Sequence, residues 1–358
     1  MHHRQGKQKL AGFGKRALSR RRLRQDYDDD NAGMKTYRFA APDKPVSAIG
    51  LDAQYFHPDN RRHNFAILDA FVASGGTYLD TAEVYGIAED RGCSEKAIGQ
   101  WLAARPGMRE RVVLATKGLI PGYYGENYRD DVVITPEAVH QSIDDSISRL
   151  GVKYLDVWMF HRDSPELPVG PLVDALDEEI SKGRVRAYGA CNWSIARLQE
   201  ALNYSRAAGK RGISLTSPAF SLAKPNEEYF RGTVSVDEND RQWLVRRRFP
   251  VVAWAPLGRG FFVCDAPKDR HNSGMARVFY SDDNFERKKR AEQLANKKHR
   301  TIADIALGYV INQEFPAIAL SGAQSVREVE DAIAAGDVEL SRAECQWLDL
   351  TNDRRPFR

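Results

Sequence analysis

Residues 151–192 read GVKYLDVWMFHRDSPELPVGPLVDALDEEISKGRVRAYGACN and contain two short apolar runs. The runs, residues 155–161 and 186–192, have the composition of buried strands. Between them, residues 172–182 carry apolar side chains at helical spacing, and Gly183 follows as a stop signal. A strand, a helix and a second strand in this order predict one parallel βαβ unit.

The same pattern extends through most of the chain. Six further apolar strands are predicted, at residues 46–51, 77–80, 112–117, 213–217, 251–257 and 317–322. Further helices are predicted at residues 60–74, 94–105, 135–150, 194–208, 284–298, 301–312, 325–335 and 341–351. Eight strands alternating with helices predict an α/β fold, a (β/α)8 TIM barrel with an extra C-terminal helix. A doubly wound sheet is disfavoured because no Gly-x-Gly-x-x-Gly motif follows the first strand.

Three connections are longer than usual, at residues 118–134, 223–236 and 258–283. Each follows the C-terminal end of a predicted strand, which is the face where barrel enzymes carry their active sites. Long loops in compact domains usually bind ligands or cover them. We therefore expect these loops to surround a functional site.

Charge separates a basic arm from a nearly neutral body. The 358 residues carry a formal net charge of +4, but residues 1–33 hold nine Lys or Arg and only four Asp. We predict a disordered arm at 1–33 and one barrel domain at 34–358. Its arginine run suggests nucleic-acid binding or targeting, although a solvated tail is the simpler interpretation and Met34 the expected natural start.

Several classes of protein are disfavoured. No apolar stretch is long enough to span a membrane, and no apolar run follows the basic N-terminus as in a secretory signal. The four cysteines form no Cys-x-x-Cys pair. Free thiols predict a cytoplasmic protein with no metal site, and we expect neither nucleic acid nor membrane as a partner.

Polar residues end neighbouring predicted strands. Asp80 and Lys117 end the second and third strands, His161 ends the fourth, and Tyr85 follows Asp80 in its loop. A Lys–Asp ion pair beside a tyrosine should lower the pKa of the phenol, and the histidine should hydrogen-bond a reacting oxygen. That chemistry suits carbonyl reduction. Structural roles, such as capping a strand end or packing in the core, would explain the same residues without a catalytic function. A zinc site made by Asp80, His161 and Asp163 is a weaker alternative, because the sequence has no His-x-His pair.

Six segments, in order along the chain, resemble the aldo-keto reductase family. They are GGTYLDTAEVYG, SEKAIGQWL, VVLATKG, RLGVKYLDVWMFHRDSP, KGRVRAYGACNW and VVAWAPLGRG. The resemblance implies a (β/α)8 barrel and hydride transfer from a nicotinamide cofactor, usually NADPH, to an aldehyde or ketone. It also implies a catalytic tetrad of Asp80, Tyr85, Lys117 and His161, with Tyr85 as proton donor.

The cofactor positions match the family less closely. The resemblance places Cys191 and Asn192 at the nicotinamide amide, where the family usually has Ser-Asn, and Ser217 where it usually has Gln. Trp254 matches the aromatic residue that stacks on the nicotinamide. The loop that contacts the pyrophosphate corresponds to Leu257, Gly258 and Arg259.

The adenosine end departs further from the family pattern. The matching positions there are Gly322, Gln324, Arg327, Glu328 and Asp331. Glu328 would repel a 2′-phosphate, whereas Arg327 would attract it. NADPH is the expected cofactor on family habit, and NADH stays open.

Two functions follow from the resemblance. The first is an oxidoreductase for a small carbonyl substrate, with a sugar-like compound as one candidate class and Tyr123, Tyr124, Tyr128 and Phe220 as candidate pocket walls. The second is a nicotinamide-binding regulatory or accessory subunit with little turnover, which the altered pair Cys191 and Ser217 favours. Neither the natural substrate nor the oligomeric state can be predicted.

Overall fold

The protein is described here by a computed structural model that covers residues 34–38, 44–86, 90–120, 133–268, 271 and 273–357. The predicted arm at 1–33 lies outside these residues. Eight parallel strands, β3 to β10 in chain order, close into a barrel when β10 pairs with β3. The first two strands form a short antiparallel hairpin. The strands are β1 Thr36–Tyr37, β2 Val46–Ser47, β3 Ile49–Asp52, β4 Tyr78–Asp80, β5 Val113–Gly118, β6 Leu155–Phe160, β7 Val185–Cys191, β8 Leu215–Ser217, β9 Val251–Ala253 and β10 Ala317–Ser321.

Helices surround the barrel, and most of them bury an apolar face. Most of them begin at a side-chain cap; for example, the Thr135 hydroxyl accepts a hydrogen bond from Ala138 N at 3.1 Å. The helices are α1 Arg61–Ala73, α2 Cys93–Ala104, α3 Met108–Arg111, α4 Pro136–Leu150, α5 Val169–Ser181, α6 Ile195–Ala207, α7 Glu238–Arg247, α8 Ser273–Phe279, α9 Asp282–Lys298, α10 Ile302–Ile311, α11 Val326–Ala334 and α12 Arg342–Leu348. The predicted TIM barrel with an extra C-terminal helix is confirmed.

The barrel interior is packed by side chains rather than left open. Gly50 on β3 shows how tightly: a Cβ there would lie 2.8 Å from Leu320 Cδ2 and 3.0 Å from Tyr78 Cδ1. The Tyr78 ring is completely buried beside it. Because the interior is filled, the space for chemistry is at the C-terminal mouth of the barrel.

Three predictions about elements were wrong. Strand β9 ends at Ala253, so Trp254–Leu257 is not strand; Ala255 has φ 54°, and Gly258 N bonds to its carbonyl at 2.9 Å in a turn. Helix α2, predicted to begin at Ser94, begins at Cys93 without a side-chain cap, and the Ser94 hydroxyl instead donates to Ala53 O at 2.7 Å. The predicted loop at 258–283 contains α8.

Two helices lack the apolar pattern that would have predicted them. Helix α7 buries only Leu244, and its start depends instead on a capping box made by Asp237 and Asp240. Helix α3 buries no residue. In the described part of the chain, no helix is both long and apolar enough to cross a membrane.

Candidate active site

Three strand ends bring the predicted catalytic residues to the mouth of the barrel. Asp80 is the last residue of β4, Lys117 is next to last in β5, and His161 directly follows β6. The His161 N–H donates to Gly118 O at 2.8 Å, which extends the strand pairing to this residue. All three side chains are buried. The structure therefore brings Asp80, Lys117 and His161 together, as the sequence predicts.

The ammonium group of Lys117 is the centre of the site. It forms a close ion pair with Asp80 and donates to Thr81 O at 3.1 Å. Its third contact is the Tyr85 hydroxyl, at 3.2 Å from Lys117 Nζ. An ammonium has three N–H groups, so these partners use all of them. The orientation of Lys117 toward Tyr85 is fixed by its other two bonds.

Burial would lower the pKa of Lys117, but the nearby Asp80 carboxylate and Tyr85 outweigh it and hold that pKa well above its usual value. Lys117 is therefore charged at neutral pH. Burial also raises the pKa of Tyr85, and the charge of Asp52 adds to this rise more than Lys117 opposes it. The predicted fall in the pKa of Tyr85 is therefore wrong, and the phenol stays protonated at neutral pH.

His161 lies beside the tyrosine. The centroids of the Tyr85 and His161 rings are 5.8 Å apart, and the rings are nearly perpendicular. Burial, together with the charges of Arg162 and Lys117, lowers the pKa of His161 well below its usual value. The imidazole is therefore neutral and donates from one nitrogen only. A neutral histidine next to a protonated tyrosine provides two hydrogen-bond donors for one oxygen atom.

Asn192 is held by the protein on both sides of its amide. Its Oδ1 accepts from Val234 N at 3.2 Å and from Trp254 Nε1 at 3.3 Å. Its Nδ2 donates to His161 O at 3.3 Å and to Cys191 Sγ at 3.0 Å. Asn192 also has a left-handed backbone, with φ 59°. The structure places Asn192 between His161 and Trp254.

The other two residues predicted at the nicotinamide amide, Cys191 and Ser217, have little hydrogen-bonding capacity left for a ligand. Cys191 is buried, and burial raises the pKa of its thiol, so the sulfur stays neutral. Ser217 is buried at the end of β8, where its hydroxyl donates to Val252 O at 2.8 Å. Contacts of these two side chains with a nicotinamide amide stay a prediction.

The predicted pyrophosphate loop is a tight turn with unusual backbone geometry. Gly258 and Arg259 have φ values of 61° and 56°, in the left-handed region. The Arg259 guanidinium lies over the rings of Tyr229 and Phe230, at 4.7 and 5.5 Å from their centroids. Stacking of this kind holds the planar cation in place while its edge remains free for phosphate oxygens.

The predicted adenosine end is open to solvent. Glu328 Oε2 accepts from Gln324 N at 2.8 Å, so this carboxylate occupies the N-terminus of α11. Arg327 is 90% exposed and lies 3.8 Å from Asp331 one turn along the helix. Gly322 lies beside the β3 loop, where a Cβ would be 3.3 Å from Gln54 Nε2.

The other predicted pocket residues divide into two groups. Tyr123, Tyr124 and Tyr128 lie outside the described residues. Phe220 is buried and packs its ring against Tyr309 and Phe315, so it belongs largely to the core. A cavity is lined by Trp254, Phe220, Lys224 and Tyr229, but by none of the four catalytic candidates.

Within the part of the chain that the structure describes, no three potential metal ligands converge at the mouth. Asp163 forms an ion pair with Arg197 at 3.1 Å, so the zinc alternative built on Asp80, His161 and Asp163 is not supported. Elsewhere, ligand atoms of His57, Asp90 and Cys93 lie within 4.8 Å of one another. There the ammonium of Lys96 already bonds to Asp90, and a cation would have to displace it.

One residue of the mouth was not predicted. Asp52 ends β3 and lies in register with Asp80 on β4. The predicted first strand stopped at residue 51, one position short. The signal for Asp52 was the same as for Asp80, an acidic residue at the end of an apolar run.

A closed parallel barrel with a buried Lys–Asp pair, a tyrosine and a histidine at its C-terminal mouth is typical of (β/α)8 enzymes. Residues 49–352 match the model of the aldo/keto reductase family. The chain belongs to the aldo-keto reductase family, a family of oxidoreductases, as its sequence motifs predict.

Similar proteins are found over most of the chain. The aldo-keto reductase yakc [NADP(+)] of Schizosaccharomyces pombe is 27% identical over 312 residues, which are 83% of this chain and 86% of that protein. The 6-dehydroglucose reductase of Novosphingobium aromaticivorans is 31% identical over 200 residues, 54% of this chain and 59% of that protein. The crystal structure of an aldo-keto reductase from Klebsiella pneumoniae in complex with NADPH has a TM-score of 0.65 and 26% identity, and the match covers 89% of this chain and 95% of that one.

Proposed function

We propose that this protein uses NADPH to reduce a small aldehyde or ketone to an alcohol, with Tyr85 as the proton donor. The observation that carries the proposal is the position of Lys117 Nζ, 3.2 Å from the Tyr85 hydroxyl and paired with Asp80 at the mouth of the barrel. A protonated phenol can act as a general acid, and the charged, oriented ammonium beside it stabilises the phenolate that forms.

The proton relay is short. When Tyr85 gives its proton to the carbonyl oxygen, the phenolate that forms lies next to the Lys117 ammonium. Asp80 and Thr81 O hold the other two N–H groups of that ammonium, so no rearrangement is needed when the charge appears. Because burial keeps Tyr85 protonated, the proton is available at neutral pH.

His161 orients the substrate in this proposal. Its ring lies edge-on to Tyr85, and it stays neutral because burial lowers its pKa. A neutral imidazole donates a hydrogen bond to the carbonyl oxygen without competing as an acid. The oxygen is then held between the Tyr85 hydroxyl and the His161 ring.

The residues at the mouth fit a nicotinamide dinucleotide. Arg259 is a stacked guanidinium suited to a pyrophosphate, Trp254 is half-buried with a ring available for stacking, and Gly322 leaves space where a Cβ would approach Gln54. When bound, NADPH supplies the hydride. The names of the yeast relative and of the Klebsiella structure agree with NADPH as the expected cofactor.

The proposed substrate is small and hydroxylated. The long, polar loop at 223–236 follows β8 on the C-terminal side of the barrel, and its composition supports this class. The Novosphingobium relative is named as a reductase of an oxidised sugar, which supports the same class.

The test is Tyr85→Phe. It removes the transferable proton and keeps the ring, so turnover of a panel of plain and hydroxylated aldehydes should fall by about 10²–10⁴-fold. The dissociation constant for NADPH should stay within about two-fold, because the hydroxyl lies on the substrate side. Tyr204→Phe is the matched control. The Tyr204 hydroxyl on α6 donates to Asp174 on α5 at 2.8 Å, so this variant should leave turnover unchanged. Full activity of Tyr85→Phe would refute the assignment.

A regulatory, nicotinamide-binding protein is the second candidate. The observation in its favour is the Asn192 amide, whose four hydrogen bonds are already made within the protein. Tight NADPH binding without turnover of any aldehyde in the panel would favour this candidate over the reductase.

A further inference from the structure

Asp52 places a carboxyl group at the mouth that takes no part in the proposed proton transfer. It is in register with Asp80, and equivalent positions of paired parallel strands point to the same face, so both carboxyl groups point into the mouth. Asp52 accepts hydrogen bonds from Gln54 N at 3.1 Å and from Gln54 Nε2 at 3.4 Å. An asparagine could make the main-chain bond equally well, so these bonds do not explain a carboxyl group.

The cations nearby do not neutralise Asp52 directly. Lys117 spends its three N–H groups on Asp80, Thr81 O and Tyr85, which leaves none for Asp52. The charge of Arg259 acts on Asp52, but its guanidinium is stacked on Tyr229 and Phe230. Among the described residues, the mouth therefore holds two inward-facing carboxyl groups, Asp52 and Asp80, and one lysine that is bonded only to Asp80.

A buried acceptor beside Asp52 lacks a donor. Asp80 Oδ1 is buried and has no hydrogen-bond partner among the described residues. Two neighbouring carboxyl groups avoid mutual repulsion by sharing one proton. A protonated Asp52 places such a donor on the strand next to that acceptor.

The electrostatics agree with a shared proton. Burial, with the Asp80 carboxylate as the next cause, raises the pKa of Asp52 to about 7, although Lys117 and Arg259 oppose the rise. Burial also raises the pKa of Asp80 against the charge of Lys117. Around neutral pH the pair therefore exchanges a proton with solvent.

The other elements packed against β3 leave this balance unchanged. Strand β10 carries no charged residue, and Tyr85 stays neutral because burial raises its pKa. Helix α11 lies beside β3, but its charged residues are exposed to solvent. They are Arg327, Glu328, Glu330 and Asp331.

A dinucleotide that extends from Arg259 and Gly322 toward Tyr85 has to pass the end of β3, because Gly322 adjoins the loop that follows Asp52. Its phosphates are anionic, and a neighbouring anion makes a carboxyl group hold its proton more tightly. We propose that Asp52 takes up a proton from solvent when the anionic cofactor binds, so that cofactor affinity falls as the pH rises. The inference rests on the cofactor site of the proposed function.

The experiment is calorimetric titration of the full chain with NADPH from pH 6.5 to 9. The wild-type dissociation constant should increase across this range, by about ten-fold if bound cofactor raises the pKa of Asp52 by one unit. Titration at pH 7.5 in two buffers of different ionisation enthalpy should show net proton uptake. Asp52→Asn keeps the hydrogen bond from Gln54 N and should lose most of both effects.

Two comparisons make the result decisive. The cofactor phosphate titrates identically with wild type and Asp52→Asn, so only their difference counts. Asp59→Asn removes an 88% exposed carboxylate from the same connection and should behave as wild type. Equal pH dependence and proton uptake in wild type and Asp52→Asn would overturn the inference and leave the reductase assignment intact. Failure of wild type to bind NADPH at every pH would overturn both.

Discussion

The indole nitrogen of Trp254 donates to Asn192 Oδ1 at 3.3 Å and so connects the loop after β9 to the end of β7. Trp254→Phe keeps an aromatic face and removes this bond. A hydrogen bond of this kind contributes about 0.5–1.5 kcal/mol, so we expect NADPH to bind about 2- to 10-fold more weakly, measured by calorimetry. Trp243→Phe is the matched control, because Trp243 Nε1 on α7 donates to Gln199 Oε1 on α6, also at 3.3 Å. Unchanged affinity of Trp254→Phe would contradict a role for this bond.

Lys117 and Asp80 should be interdependent for stability. Lys117→Met leaves Asp80 buried and unpaired, which should reduce the free energy of unfolding in urea by about 3–5 kcal/mol. The double variant Asp80→Leu with Lys117→Met removes both charges, and we expect it to recover most of that loss. Neither variant should reduce aldehydes at a measurable rate, because both lack the cation beside Tyr85. A double variant no more stable than the single one would show that the pair matters for packing rather than charge.

His161 should make stability depend on pH in a defined direction. Burial lowers its pKa in the folded protein, so below the ordinary value of about 6.5 the unfolded chain binds a proton that the folded chain does not. The stabilising effect of a neutral His161 on the free energy of unfolding is fully present above pH 6.5. It is lost as the pH falls below that value, with a slope of up to about 1.4 kcal/mol per pH unit.

The measurement is urea unfolding between pH 5 and 8. His161→Gln should flatten the slope below pH 6.5, whereas His63→Gln, on the exposed face of α1, should retain it. The same slope in all three proteins would mean that other groups cause the pH dependence.

Much of the fold could be predicted because most barrel strands are apolar runs with a polar residue at or directly after their end. The same rule located Asp80, Lys117 and His161. Helix α7 could not be predicted from periodicity, because only Leu244 of its ten residues is buried. Asp52 satisfies the same rule, because it directly follows the predicted strand at residues 46–51, yet it is absent from the predicted site.

The direction of the pKa shift at Tyr85 could not be predicted from its neighbours in the motif. The Lys117–Asp80 pair is visible in the sequence, but burial and the charge of Asp52 depend on how β3 and β4 align. The contacts of the predicted cofactor residue Asn192 are harder still to foresee, since its amide bonds to Val234 N and Trp254, which are distant in sequence.

The left-handed backbone of Asn192 limits how this enzyme can be engineered. At φ 59°, only Gly, Asn and Asp are held at little cost, and a β-branched residue would strain the end of β7. Most variants in a library randomised at position 192 would therefore fold poorly. A search for altered cofactor preference should restrict position 192 to those three residues and place its diversity at Cys191, Ser217 and Gln324.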